Sequence, residues 1–119
     1  MNGAHADHAM TYAKKDKLAR YAQIAGSAEA AYASPHRLVQ MLMEAALERI
    51  AVASGQASRR EFEAKGKSIT WAISIINGLR GSLNLEEGGD IARNLDDLYD
   101  YMVRRLLDDR CGSRRPEAG

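Results

Sequence analysis

Apolar residues in this chain recur three and four positions apart, in several separate stretches. In the last of them, Ile91, Leu95, Leu98, Met102 and Leu106 are separated by steps of 4, 3, 4 and 4. Those steps track the 3.6-residue period, so all five side chains share one helical face. No stretch calls for a strand. Only Pro35 and Pro116 interrupt the chain, which leaves about eighty residues between them able to run as long helices. The pattern predicts an all-α fold, an antiparallel helical bundle whose apolar stripes cover one another.

The local signals place the helices at about 18–31, 35–54, 58–80 and 89–109. Residues 1–17 are small and polar with no apolar rhythm, which predicts a flexible lead. Leu18, Tyr21 and Ile24 then sit three apart on a stripe too short to be helical alone in water, so this segment must dock on something. Ser34 suits an N-cap and Pro35 the first helical position, where its missing N–H has no intrahelical partner in any case. Leu38, Met41, Leu42, Ala45 and Ile50 mark the face of that helix, and Gly55 is expected to end it as a left-handed cap. Phe62, Ile69, Ala72, Ile73, Ile76 and Leu79 form the next stripe, with Gly81 as its stop. "SLNLEEGG" reads as a loop anchored by Leu83 and Leu85. Tyr99 and Tyr101, two positions apart, cannot both face one core, so one should pack and the other reach a polar partner or the surface. Residues 110–119 read as an irregular tail.

Composition narrows the function. Apolar residues make up 45% of the chain, enough for a single domain with a true core. The formal charge is +1 with acids and bases interspersed, so the basic stripe that a nucleic-acid binder needs is missing. No apolar run is long enough to span a membrane, and the N-terminus lacks the apolar centre of a secretory signal. A lone cysteine, Cys111, has no internal partner, which fits a reducing compartment and a cytoplasmic location.

Catalytic and metal-binding constellations are equally scarce. His5 and His8 lie in the lead, short of the three or four placed ligands a metal requires. His36 follows Pro35 in a first helical turn and reads as a surface or packing residue. Cys111 has no base beside it in sequence, and "EEGGD" lacks the alternating oxygen ligands of a calcium loop. The reading is therefore a non-enzyme with no cofactor and no metal.

Three stretches, "YAQIAGSAEAAYASPHRLVQML", "AKGKSITWAISIINGL" and "EEGGDIARNLDDLYDYMVRRLL", together resemble the flagellar secretion chaperones of the FliS family. The resemblance runs from about Leu18 to Leu107. It implies a four-helix bundle with a mobile N-terminal segment. It also implies a cytoplasmic export chaperone that binds the C-terminal amphipathic segment of flagellin, prevents premature polymerisation and hands its client to the flagellar type III export gate. Leu18, Tyr21 and Ile24 match the family segment that covers an apolar pocket and shifts when partners bind. Leu38, Met41, Leu42, Ala45, Ile76, Leu79, Leu95, Tyr99 and Met102 are the remaining expected partner-binding positions. Core and groove share one composition, so each of these reads equally as a core residue.

Family members continue after "RRLL" with a turn and one more helix, whereas "DDRCGSRRPEAG" offers no apolar face to pack. A codon string for this tail, read one frame over, can encode "DADPADLKR", which resembles the family's turn into that helix. A natural short tail and a frameshift are the two origins to weigh. Either way, a bundle without one wall should dimerise, swap elements or be marginal. The alternative function is a helical interaction module, or a homodimer whose open face is closed by self-association.

Overall fold

The computed structural model describes residues 32–111 together with Leu18, Arg20, Tyr21, Gln23 and Glu29. The expected lead over 1–17, Ile24, and the tail from 112 onward lie outside the described residues. Three long helices carry the fold: α1 over Pro35–Ser58, α2 over Phe62–Gly81 and α3 over Leu85–Cys111. Leu18, Arg20, Tyr21 and Gln23 are also helical. The chain is an all-α bundle, as its periodicity predicts.

Each boundary has a local cause. The Ser34 hydroxyl accepts from the Arg37 N–H at 3.2 Å, with Pro35 opening the helix behind it. Gly55 does not end α1. The helix runs through it to Ser58, and the left-handed residue is Arg60, at φ 61°. The Glu61 N–H reaches back to the Gln56 carbonyl at 2.8 Å and the Arg60 N–H to that of Ala57 at 3.0 Å. These two bonds complete a Schellman motif with arginine where glycine is usual. That reversal also delays α2, which begins at Phe62 rather than at residue 58.

The stretch read as a loop is largely helical as well. Asn84 caps it, its side-chain oxygen accepting from the Glu87 N–H at 3.2 Å, and α3 starts at Leu85. Gly89, at φ 57° and ψ −136°, breaks the helical path one turn later, so the continuous helix begins at Asp90. A side chain at that φ would be strained, and glycine supplies the kink. At the other end, Arg110 and Cys111 extend α3, where the sequence suggested an irregular tail.

Contacts between helix ends fix the topology. Gln56 near the end of α1 accepts from Ser68 near the start of α2 at 2.8 Å. Arg80 at the end of α2 pairs with Asp96 in the first half of α3 at 2.6 Å, and Lys65 near the start of α2 donates to the Asp109 carbonyl near the end of α3. Both neighbouring pairs therefore run antiparallel, with α2 between α1 and α3. The molecule measures 56 × 31 × 14 Å along its principal axes, which is a layer rather than a closed bundle. Position in that layer decides burial. α2 buries nine of its 20 residues, and α3 buries Ala92, Tyr99 and Leu106 out of 27.

Candidate partner-binding face

The core is built mainly by Leu38, Met41, Leu42 and Ala46 of α1, Ile69, Ala72, Ile73, Ile76 and Leu79 of α2, and Tyr99 and Leu106 of α3. Leu18 joins it and is fully buried. Tyr21 packs on the outer side of α2, against Gly78. A Cβ at Gly78 would sit 2.6 Å from the Tyr21 ring, so the absent side chain is what lets the aromatic ring lie there. This contact holds the N-terminal piece to the layer.

The apolar stripe of α3 is only half covered. Leu106 is buried, Leu95 and Met102 are partly buried, but Leu98 is 48% exposed and Ile91 60% exposed. At its Leu106 end the stripe runs into a groove of about 430 Å³ between the three helices. Ile50, Ala53 and Ala57 form one wall, Ile69 and Lys65 the floor, and Leu106 and Asp109 the other wall. From Ile91 to Leu106 the helix rises about 22 Å, so groove and stripe together offer an apolar track of roughly four helical turns.

Charge frames this track. Arg80 holds Asp96 at 2.6 Å and Asp100 at 2.9 Å, and Asp100 also pairs with Arg104 at 2.8 Å. The hydrogen bonds that the Arg80 guanidinium donates to the carboxylates of Asp96 and, less strongly, Asp100 hold its pKa above the ordinary value. This clasp joins α2 to α3 and fixes which side of α3 faces inward. The two tyrosines divide as their spacing requires. Tyr99 is buried, and burial pushes its hydroxyl pKa up. Tyr101 is exposed, with its hydroxyl accepting from Arg105 at 3.0 Å. Trp71 is half-buried on the opposite surface, with the Arg49 guanidinium 5.6 Å from its ring centroid.

The expected partner-binding residues fall mostly inside. Leu18, Leu38, Met41, Leu42, Ile76, Leu79 and Tyr99 are buried, while Tyr21, Ala45, Leu95 and Met102 are partly buried. Ile24 lies outside the described residues. The residues that reasoning from sequence left off the site are Ile50, Ala53, Ile69, Leu106 and Lys65, which line the groove, and Ile91 and Leu98, which are exposed. Most belonged to the predicted stripes. Lys65 had its own signal, a single charge four residues before Ile69 on the inward register of α2. Among the described residues no group of three or more His, Cys, Asp or Glu could hold a metal. No described helix is long and apolar enough to cross a membrane.

The family model described as flagellar protein FliS matches residues 17–114, which is most of the chain. This chain belongs to the FliS family. Among its relatives is the flagellar secretion chaperone FliSB of Pseudomonas aeruginosa, 46% identical over 97 residues, covering 82% of this chain and 76% of the relative. The flagellar secretion chaperone FliS of Vibrio cholerae is 39% identical over 92 residues, 77% of this chain and 68% of the relative. That of Salmonella typhimurium is 44% identical over 88 residues, 73% of this chain and 65% of the relative. Of these three relatives, 24%, 32% and 35% of the length therefore lies outside the aligned part. No solved structure matches the chain.

Proposed function

We propose that this chain is a flagellar export chaperone whose open track receives the C-terminal amphipathic segment of flagellin. Family membership supports the chaperone role, and the half-covered stripe of α3 is the observation that carries the site. Exposed Ile91 and Leu98, continuous in register with the groove at Leu106, offer an apolar helix a surface of its own length. An amphipathic segment that is unfolded when free would order on this surface, as in helix-in-groove recognition. Binding would hide the apolar face through which flagellin polymerises and hold the client for delivery to the export gate, in the cytoplasm.

Leu18 and Tyr21 extend the proposal. Leu18 is fully buried and the Tyr21 ring lies against Gly78 of α2, and we assign the two as a plug displaced by the client. The buried positions Leu38, Met41, Leu42, Ile76, Leu79 and Tyr99 would support the track from beneath rather than touch the client first, with the partly buried Ala45, Leu95 and Met102 beside them.

Light scattering on a sizing column tests the reading, with and without the flagellin C-terminal segment. The expected result is a discrete complex of one chaperone and one segment. A stable homodimer indifferent to the segment would replace this function with the self-associating module, since the same exposed stripe would then be covered by a second copy.

A further inference from the structure

Among the described residues, the charge on the floor of the groove has no carboxylate partner. Lys65 is 6% exposed and lines the groove beside Ile69. Its ammonium donates to the Asp109 carbonyl at 3.0 Å and lies 5.8 Å from the centroid of the Phe62 ring. An ammonium has three N–H donors. Among the described residues, one of the three finds an oxygen, and no carboxylate comes within ion-pair distance; Asp109 offers its main chain. With the groove open, water can serve the other two. Once an apolar segment fills the space between Ile50, Ala53, Ala57, Ile69 and Leu106, water is excluded and only the occupant can supply acceptors.

We propose that Lys65 reads a carboxylate on the amphipathic client segment that docks in this groove, and so sets the register in which that segment binds. The inference rests on the client reading above. A buried cation facing an otherwise apolar groove favours an occupant that is apolar along one face and anionic at one point. A neutral apolar helix in the same place would leave the charge buried and unpaired, which is the costlier arrangement. Lys65 thus discriminates between registers as well as between partners, because only one placement brings the carboxylate to the groove floor.

The test compares two synthetic peptides of the flagellin C-terminal segment, titrated calorimetrically into the full chain. One carries its natural carboxylates. The other is amidated at its terminus, with Asn and Gln in place of Asp and Glu. The wild type should bind the carboxylate peptide about tenfold more tightly, the scale of one charge-assisted hydrogen bond. Lys65→Met should abolish that preference and bind the amidated peptide at least as tightly as the wild type does, because the charge that peptide leaves unpaired is gone, while Lys65→Arg should keep the preference. Should Lys65→Met fail to fold, the Lys65 side-chain carbon resonances of the wild type decide, by moving with the carboxylate peptide alone. Equal weakening of both peptides by Lys65→Met would overturn the proposal and reduce Lys65 to a cap on the α3 carbonyls. Wild-type binding that ignores the carboxylates overturns it too, with the client reading intact. Binding of neither peptide overturns both.

Discussion

α2 and α3 are adjacent helices with opposite fates. α2 is apolar around much of its circumference, with Ile69, Ala72, Ile73, Ile75, Ile76 and Leu79 all buried. α3 has the cleaner division into apolar and polar faces, yet Ile91 and Leu98 on its apolar face remain in solvent. A helix covered from both sides needs apolar residues facing both neighbours, and α2 has them. A helix at the edge of a layer needs only part of its stripe for its own fold. The remainder of the α3 stripe stays uncovered among the described residues, so the same kind of sequence pattern is spent on the core in one helix and left partly open in the other.

Paired substitutions give the largest contrast. Ile76→Ala in α2 should cost about 3 kcal/mol, a usual figure for a fully buried aliphatic, whereas Leu98→Ala in α3 should stay within about 0.5 kcal/mol. Urea unfolding measures both, and equal costs would erase the distinction between the helices. Gly78→Val sharpens it from the outer side of α2. The new side chain collides with the Tyr21 ring, so a loss of about 2 kcal/mol is expected, with faster hydrogen exchange at Leu18 and Tyr21. If exchange there is unaltered, the N-terminal piece is held by something other than this contact.

Smaller effects probe the joints. Arg80→Ala removes the clasp between α2 and α3. Its partners are partly exposed and screened by solvent, so about 1 kcal/mol is expected, shrinking as salt is raised. A loss unaffected by salt would mean that Arg80 acts through the packing of its stem instead. Arg60→Gly works in the other direction. Relieving the left-handed strain at φ 61° should raise stability by about 0.5 kcal/mol, after allowing for the exposed Arg60–Phe62 contact at 5.8 Å. Thermal unfolding reads that gain, and a lower melting temperature would show the ring contact to outweigh the strain.

The three long helices, the Ser34 cap and the stop at Gly81 were legible because each rests on local chemistry: period, a capping hydroxyl, a breaker. The ends governed by backbone geometry were not. Gly55 has the composition of a cap but sits in a helix that continues, because the reversal is made by Arg60, a residue type with no preference for it. The kink at Gly89 was hidden between two glycines that look alike in sequence. The site was the least legible part. A stripe reports which residues avoid water, not which neighbour will cover them, so Leu42 and Leu98 look equivalent until α2 is seen in the middle of the layer. Lys65 was missed as well, although its charge falls four residues before Ile69 on the inward register of α2.

The central claim is that the uncovered face of α3 binds a partner, and it is tested most directly by placing charge on that face. Ile91→Glu with Leu98→Glu should leave helicity and the urea midpoint near wild type, because both residues are exposed, and should abolish the complex with the flagellin C-terminal segment on a light-scattering column. A doubly substituted chain that still forms the complex with unchanged stoichiometry and affinity would contradict the account.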